Sequence, residues 1–364
     1  MFMDRKDKTS DLGRMRKDID AIDTALLELL NKRATLAVEI AVIKRKTKLR
    51  FHVPERERAI LERLTSMNKG PFPNDALKVI FREIISASLA LEEPLKVAYF
   101  GPEGTFTHLA SIRHFGSFAK YIPVESIKAV FDAVEYGEAN YGLVPIENSS
   151  EGVVSHTLDM FMDYDLKIAA EVLLEVSHNL LSKLGEKGKV KKIYSHPQAL
   201  AQCRGWLEAN MTGIPVLAAV STAKAAEMVA GDEEAAAIAS ELAAKLYDLK
   251  FIKRHIEDKK NNFTRFLVIA KESPSKSASD KTSIMFSLKN RPGALYDVLY
   301  PFKEAKINLS KIESRPSKRR AWEYIFFVDM EGHVDDDKVR KTIEKVKEHC
   351  LYLTHLGSYP VDER

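Results

Sequence analysis

Hydrophobic and polar positions divide the chain into three stretches with different periods. Over residues 10–92 the apolar positions recur every three or four residues: Leu12, Met15, Ile19, Ile22, Leu26, Leu29 and Leu30, continued by Leu36, Ala37, Ile40 and Ile43. That spacing lines one face of a helix. It predicts a helix of over about thirty residues, which has no core of its own and needs a bundle or a second copy to cover it. Ser10 or Asp11 is the candidate cap. Val53-Pro54-Glu55 opens a second helix, with proline at a tolerated first-turn position. Gly70-Pro71-Phe72-Pro73-Asn74 breaks it, and a third helix is expected from Asp75 to Leu91.

From Lys96 short apolar runs alternate with helical stretches. Val97–Phe100, Tyr141–Ile146, Lys192–Ser195, Ala235–Ala239 and Phe266–Ala270 read as strands, which predicts an α/β region with a mainly parallel sheet. Glu272–Asp280 is a Ser-rich polar linker. Beyond it the pattern is strand (Thr282–Leu288), helix (Gly293–Ala305), strands (Asn308–Ser314 and Glu323–Met330), helix (Asp335–His349) and strand (Leu351–Tyr359). This is the βαββαβ order of an α+β, ferredoxin-like module. The expected organisation is multidomain: all-α over 10–93, α/β over 96–271 and α+β over 281–360.

Composition narrows the function classes. The chain has 364 residues, 45% hydrophobic and 30% charged, as in ordinary globular proteins. Lys plus Arg (56) nearly balances Asp plus Glu (52). A net charge of +4 is too mild for a nucleic-acid binder but leaves room for a local basic site. Cys203 and Cys350 form neither a CxxC pair nor a zinc spacing, so a reducing, cytoplasmic setting without a structural metal is expected. No signal peptide or membrane span is expected either. The basic stretch over 315–320 reads as a mobile loop or a subunit contact.

In the helical zone Arg33 and Lys44 lie 11 residues apart, about 1100° at 100° per residue and so on one side. Arg16 is 17 residues before Arg33, about 100° around the helix, and cannot serve the same pocket from the same copy. Ser88 and Glu92, at i and i+4, share a face. A solvated amphipathic face would also explain these charges. Arg16, Arg33, Lys44, Arg56, Glu57, Ser88 and Glu92 nevertheless stand where residues 12–92 resemble the all-helical chorismate mutase family, an intertwined dimer of three-helix chains. The resemblance implies rearrangement of chorismate to prephenate without a cofactor, in a basic cage that fixes the reactive conformer. It implies that Arg16 (from the other subunit) and Arg33 hold carboxylates, that Lys44 and Glu92 meet the ether oxygen, and that Glu57 takes the substrate hydroxyl. Two positions depart from some relatives: Val53 replaces a carboxylate and Glu92 a Gln. A Glu can donate to the ether oxygen only when protonated.

Four segments stand out in the middle zone. Gly101-Pro102-Glu103-Gly104-Thr105-Phe106-Thr107-His108 is a strand-to-helix turn whose amides can cradle an anion. Val144-Pro145-Ile146-Glu147-Asn148-Ser149 and Ser195-His196-Pro197-Gln198-Ala199-Leu200 follow strand ends, where open α/β sheets bind ligands. Asn262-Phe263-Thr264-Arg265-Phe266 precedes its strand and is expected on a connection between lobes. Singly, each has a plain alternative: His196 as a turn cap, Asn148 and Ser149 as helix caps, Thr264 satisfying backbone. Together and in this order they resemble prephenate dehydratase over residues 96–271, with Thr-Arg-Phe the most specific piece. The resemblance implies two α/β lobes, like a small periplasmic-type binding protein, with the site in the cleft. It implies decarboxylation and dehydration of prephenate to phenylpyruvate. Thr264 would donate to the departing oxygen and Arg265 would anchor charge. Glu147, Asn148 and Gln198 are further catalytic candidates, and Thr105, Phe106, His108, Ser149, Ser195, His196, Ser221, Thr222 and Phe266 are substrate-binding candidates.

In the last zone Asn290-Arg291-Pro292-Gly293-Ala294-Leu295 joins a strand to a helix, and Glu313-Ser314-Arg315-Pro316 ends the next strand. A tight turn would explain the first alone. Both together resemble the ACT regulatory module and its Gly-Ala-Leu and Glu-Ser-Arg-Pro motifs. The resemblance implies an L-phenylalanine site at a dimer interface, with inhibition by differential affinity for two states. Asn290, Pro292, Gly293, Ala294, Leu295, Glu313, Ser314, Arg315 and Pro316 are its candidates. The combined expectation is a homo-oligomer, dimer or tetramer, that takes chorismate and prephenate, answers to L-phenylalanine, and uses no cofactor, nucleic acid or membrane.

Overall fold

The computed structural model describes residues 4–47, 52–317 and 323–362; residues 318–320 of the basic stretch lie outside them. The chain forms two compact units, Met1–Leu95 with Phe115–Ala119, and Lys96–His114 with Lys120–Arg364.

The first unit holds α1 (Asp4–Thr47), α2 (Pro54–Met67) and α3 (Asn74–Glu92). At 44 residues α1 is as long as its stripe requires, and it begins ahead of the expected cap at Ser10 or Asp11. Nothing in the charged run before them breaks a helix. Pro54 is the first residue of α2, after an extended Val53. Towards its C-terminal end α1 lies on α3 and buries Ala41, whereas residues 11–30 are exposed throughout, with Ile22 at 59% and Leu29 at 62%. The apolar stripe is therefore uncovered within one chain.

The second unit begins with a lobe of β1 (Lys96–Phe100), α4 (Phe106–Phe115), β2 (Lys120–Val124), α5 (Ile127–Glu135), β3 (Tyr141–Asn148), β4 (Gly152–Val153), α6 (Ser155–Phe161) and β5 (Lys167–Glu175). A second lobe follows: β6 (Asn179–Ser182), β7 (Lys192–Ser195), α7 (Pro197–Gln202), α8 (Arg204–Asn210), β8 (Val216–Ala218), α9 (Thr222–Val229), β9 (Ala235–Ala239), α10 (Glu241–Leu246) and β10 (Lys250–Lys253). The chain then returns through β11 (Phe263–Ala270) into the first sheet, ordered β2-β1-β3-β11-β5 with β4 on β3. The second sheet runs β10-β6-β9-β7-β8.

Two expectations need correction. The sheets are mixed rather than mainly parallel. β1 runs parallel to β2 and β3, and β7 to β8 and β9, but β11 is antiparallel to both β3 and β5 because it enters the first lobe on the way back. Thr264 and Arg265 lie inside β11, not before it. Their polar side chains hide the strand's first turn of pleat from a search for apolar runs.

The last part comprises β12 (Asp280–Leu288), α11 (Ala294–Glu304), β13 (Leu309–Pro316), β14 (Tyr324–Glu331), α12 (Asp337–Glu348) and β15 (Cys350–Pro360) in an antiparallel sheet ordered β13-β14-β12-β15. Alternation along β12 gives the sheet two faces. Ile284 and Phe286 pack under α11 and α12 with Val298, Phe302, Val339 and Val346. Met285 faces the other way and joins Ile325, Phe327, Leu356 and Tyr359 in one core with Ile146, Phe161, Ile168 and Leu267 of the first lobe. Backbones meet closely here: a Cβ on Gly357, at φ +152°, would stand 2.3 Å from the Ile168 carbonyl oxygen. Only glycine fits.

Candidate functional site

In the helical unit three elements deliver a polar group to one place. The Arg33 guanidinium donates to Ser88 Oγ and, at 3.5 Å, to the Ile84 carbonyl. Three turns further along α1, Lys44 Nζ lies 3.5 Å from Glu92 Oε2. Arg45, which sequence reasoning passed over, caps α3 by donating to the Glu92 carbonyl at 2.5 Å. Burial lowers the Arg33 pKa from its ordinary value, while Glu57 and Glu92 act in the opposite direction. Glu57 accepts from His52 Nε2 at 3.0 Å if that ring nitrogen carries the proton. Arg33, Lys44, Ser88, Glu92 and Glu57 thus converge, with Ser88 and Glu92 buried. Arg56 is exposed beside Glu57 on α2. Arg16 does not join them: it is exposed on α1, 17 residues earlier, or about 26 Å at 1.5 Å per residue.

In the second unit β3 and β11 carry the decisive pair. Asn148 and Thr264 face each other in register across these strands, and Asn148 Nδ2 donates to Thr264 Oγ1 at 2.8 Å. The same nitrogen donates to Asn262 Oδ1 at 2.9 Å. Asn262 Nδ2 donates to Gln202 Oε1 at 3.2 Å, and Gln202 Nε2 to Glu151 Oε1 at 3.3 Å. Since Gln202 Oε1 can only accept, His178 Nε2, 2.8 Å away, carries the ring proton. Burial lowers the His178 pKa, against the Gln202 bond and Glu257, so the ring is neutral, and its buried Nδ1 has no partner among the described residues. The chain of amides has one polarity. It leaves Thr264 Oγ1 accepting from Asn148, with its own proton free to donate.

The other predicted residues separate into two sets. Ser149 joins the cluster: its Oγ accepts from Phe263 N at 2.9 Å and lies 3.5 Å from Asn262 Oδ1. Phe106, at the start of α4, meets the His178 ring edge-on at 5.6 Å. Thr105 Oγ1 caps that helix by accepting from His108 N. Ser221 caps α9 by accepting from Lys224 N, with Thr222 as that helix's first residue. The turn before α4 reaches these helices: Ser240 Oγ donates to the Gly104 carbonyl at 2.7 Å, and a Cβ on Gly104 would lie 3.5 Å from that of Ala223.

The second set serves the scaffold. His108 is buried, stacked on Tyr99 at 4.6 Å and accepting from Gly104 N, with its pKa lowered by burial. Ser195 is buried on the Ile238 carbonyl, and Phe266 is buried in the sheet. His196 caps α7 through Gln198 N, and the Gln198 side chain is exposed. One helical turn on, Gln202 takes the place expected of Gln198. The signals for the missed residues were spacing alone: Gln202 at i+4 from Gln198, and Asn262 just ahead of β11, two residues before Thr264.

Arg265 and Glu147 point away from this cluster. The Arg265 guanidinium donates to Glu171 Oε2 (2.7 Å), Asp329 Oδ2 (2.7 Å) and Tyr359 Oη (2.9 Å), so all three of its nitrogens are committed and it is not free to anchor a substrate carboxylate. Glu147 pairs with Lys311 at 2.7 Å. Arg315 likewise turns to the first lobe, onto Asp159 at 3.2 Å and Ser155 at 2.9 Å. Gly293, at φ +80°, precedes α11. Asn290, Pro292 and Gly293 are exposed, Ala294 is buried and Leu295 half-buried; along β13 Glu313, Ser314, Arg315 and Pro316 alternate between half-buried and exposed.

The chorismate mutase type II family matches residues 15–93, the prephenate dehydratase family residues 97–274 and the ACT domain residues 282–348. A bifunctional chorismate mutase/prephenate dehydratase of Aquifex aeolicus is 52% identical over 354 residues, covering 96% of this chain and 98% of its own. The chain belongs to the bifunctional chorismate mutase/prephenate dehydratase family. The corresponding Pseudomonas aeruginosa protein is 44% identical, covering 96% of this chain and 97% of its own. Among solved structures, a prephenate dehydratase from Arthrobacter aurescens in complex with L-Phe matches with a TM-score of 0.68 and 32% identity, over 73% of this chain and 90% of that one. Among the described residues of this family member, no helix is long and apolar enough to cross a membrane.

Proposed function

We propose that the helical unit rearranges chorismate to prephenate and that the two-lobed region converts prephenate to phenylpyruvate. In the first step negative charge grows on an ether oxygen as the ring system reorganises. Arg33 and Lys44 supply fixed positive charge and Glu92 a donor, while Glu57 takes the substrate hydroxyl. Such preorganised groups act where charge develops and need no reorganisation of their own. Arg16 stands about 26 Å from Arg33 along α1, so it completes the site only from a second copy. That geometry and the uncovered stripe support at least a dimer.

In the second step the bond from the ring to the carboxylate breaks, its electron pair enters the ring, and hydroxide leaves from the opposite carbon. The departing oxygen needs a donor. The observation that carries this reading is the Asn148–Thr264 bond, which holds the hydroxyl oxygen through one of its lone pairs and leaves its proton for the leaving group. The substrate's carboxylates are negative, and the N-termini of α4 and α9, capped by Thr105 and Ser221, offer free amides to meet them. L-phenylalanine, the product one transamination later, is the inhibitor, bound about Gly293 with the helix-start amides on its carboxylate. Both cysteines are unpaired, in keeping with a cytoplasmic enzyme.

The test feeds chorismate and prephenate separately to purified protein and follows phenylpyruvate with and without L-phenylalanine. Product from both, suppressed by phenylalanine, is expected. Product from prephenate alone reduces the helical unit to a dimerisation device. Product from neither removes the catalytic reading.

A further inference from the structure

The pleat of β3 and β11 separates two pairs of residues that are adjacent in sequence. Thr264 pairs with Asn148, and the next residues, Arg265 and Glu147, pair with each other. Because successive side chains point to opposite faces, the first pair enters the amide cluster and the second turns to the βαββαβ sheet. There Arg265 meets Asp329 of β14 and Tyr359 of β15, and Glu147 meets Lys311 of β13. The junction is built, not incidental. Glu171, buried on β5, takes both Arg265 and Lys281 of β12, the latter at 2.9 Å. Ser283 Oγ donates to Asp329 Oδ1 at 2.5 Å and lies 2.7 Å from Tyr359 Oη. Arg265, Lys281, Glu171 and Asp329 sum to zero charge. A buried network so satisfied holds one geometry, and removing a member leaves partners unpaired. Immediately after Arg265 the β3–β11 register shifts, so the strands are pinned by side chains at the point where the ladder is irregular.

We infer that Arg265 and Glu147 are positioning residues for the dehydratase step: each sits next in sequence to a member of the Asn148–Thr264 pair, and both are clamped by Asp329, Tyr359 and Lys311, so the regulatory sheet sets the spacing of that pair. A shift of that sheet on binding an amino acid moves the clamps and, through one peptide unit in each strand, Thr264 and Asn148. The inference rests on the dehydratase and phenylalanine-sensor readings above.

The test uses the full chain and two substitutions on the regulatory side only. Lys311→Met removes the partner of Glu147, and Tyr359→Phe removes one hydroxyl while keeping the ring. Three readouts are taken: kcat and KM for prephenate, L-phenylalanine binding by calorimetry, and the factor by which saturating L-phenylalanine lowers the rate. Coupling between sites is commonly about 5- to 150-fold. At least one variant is expected to bind L-phenylalanine within about twofold of the parent while its inhibition factor falls about threefold or more. Its KM is expected to change less than its kcat, and Lys311→Arg to behave as the parent. Parental inhibition in both variants overturns the inference, and so does inhibition that falls only in step with phenylalanine binding, which marks a merely structural role. A parent that neither uses prephenate nor binds phenylalanine overturns the underlying reading instead.

Discussion

Thr264 is a poor acid by its own chemistry, and its neighbours define its use. With Asn148 donating to its oxygen, the hydroxyl is held in place with its proton available. Thr264→Ala is therefore expected to lower kcat for prephenate by about 10²-fold or more, the loss typical of a single preorganised donor. Mutase activity should be unchanged, and Thr264→Ser should keep much of the rate. Gln202→Leu should cost about 3- to 10-fold, one hydrogen bond's worth, whereas Gln198→Ala should stay within about twofold; steady-state kinetics on both substrates separates these. This contrast also marks what the sequence could show. The Thr-Arg-Phe and Glu-Asn-Ser runs lie on two strands that pair, β11 and β3, but a linear motif does not say which face each residue takes. Thr264 and Asn148 turn to the amide cluster, Arg265 and Glu147 towards the regulatory sheet. In the helical unit Glu92 makes the corresponding demand: to donate to an ether oxygen it must hold a proton. Glu92→Gln, whose amide donates without needing a proton, should keep a substantial mutase rate, whereas Glu92→Leu, which cannot donate, should lose about 10²-fold. A Glu92→Leu protein with the parental mutase rate would count against that role.

At the scale of elements, α1 was the most legible piece, because its 3–4 spacing persists beyond any length one chain can cover. The structure leaves every residue of 11–30 exposed, and each apolar side chain, about half-covered already, adds about 1 kcal/mol when a partner buries the rest. Leu26, 52% exposed in mid-stripe, is a direct probe. Leu26→Glu places a charge where a second helix must pack, so sedimentation velocity should show a smaller assembly. Mutase activity should fall with it, since Arg16 then has no route to Arg33. A Leu26→Glu protein that keeps both parental mass and mutase rate would mean that the stripe is covered by something other than a second copy. The strands were less legible. β11 begins with Phe-Thr-Arg, which alternates between an amide cluster and an ionic seam, so a search for apolar residues starts it three positions late. The two crossings between lobes also leave no periodic trace, which is why the sheet was expected to be mainly parallel.

Across the second unit three histidines in three different bodies sit away from water: His108, buried in the first lobe, His178, buried in the second, and His355, half-buried in the regulatory sheet. Burial lowers the pKa of each. For His355 burial leads, with Lys167 and His333 adding to it and Asp335 opposing, and the value falls to about 4. A histidine whose folded pKa lies below its unfolded value of about 6.5 favours the fold while neutral. Its contribution is complete above about pH 6.5 and is lost as pH falls towards 4, because the unfolded chain takes up the proton first. For His355 the full loss is at most about 3 kcal/mol, and His108 and His178 act in the same direction. Denaturant unfolding of this unit should accordingly show a lower midpoint at pH 5 than at pH 7.5. Substituting His355 by Gln, which carries no charge and can still reach Ser358, should narrow the gap between the two midpoints. A midpoint independent of pH over that range would mean that these rings protonate without unfolding the core that encloses them. The core and the ionic seam span the first lobe and the regulatory sheet, so the acid loss should appear as one transition for both. A regulatory sheet that melts alone at pH 5 would show that the seam does not join the two.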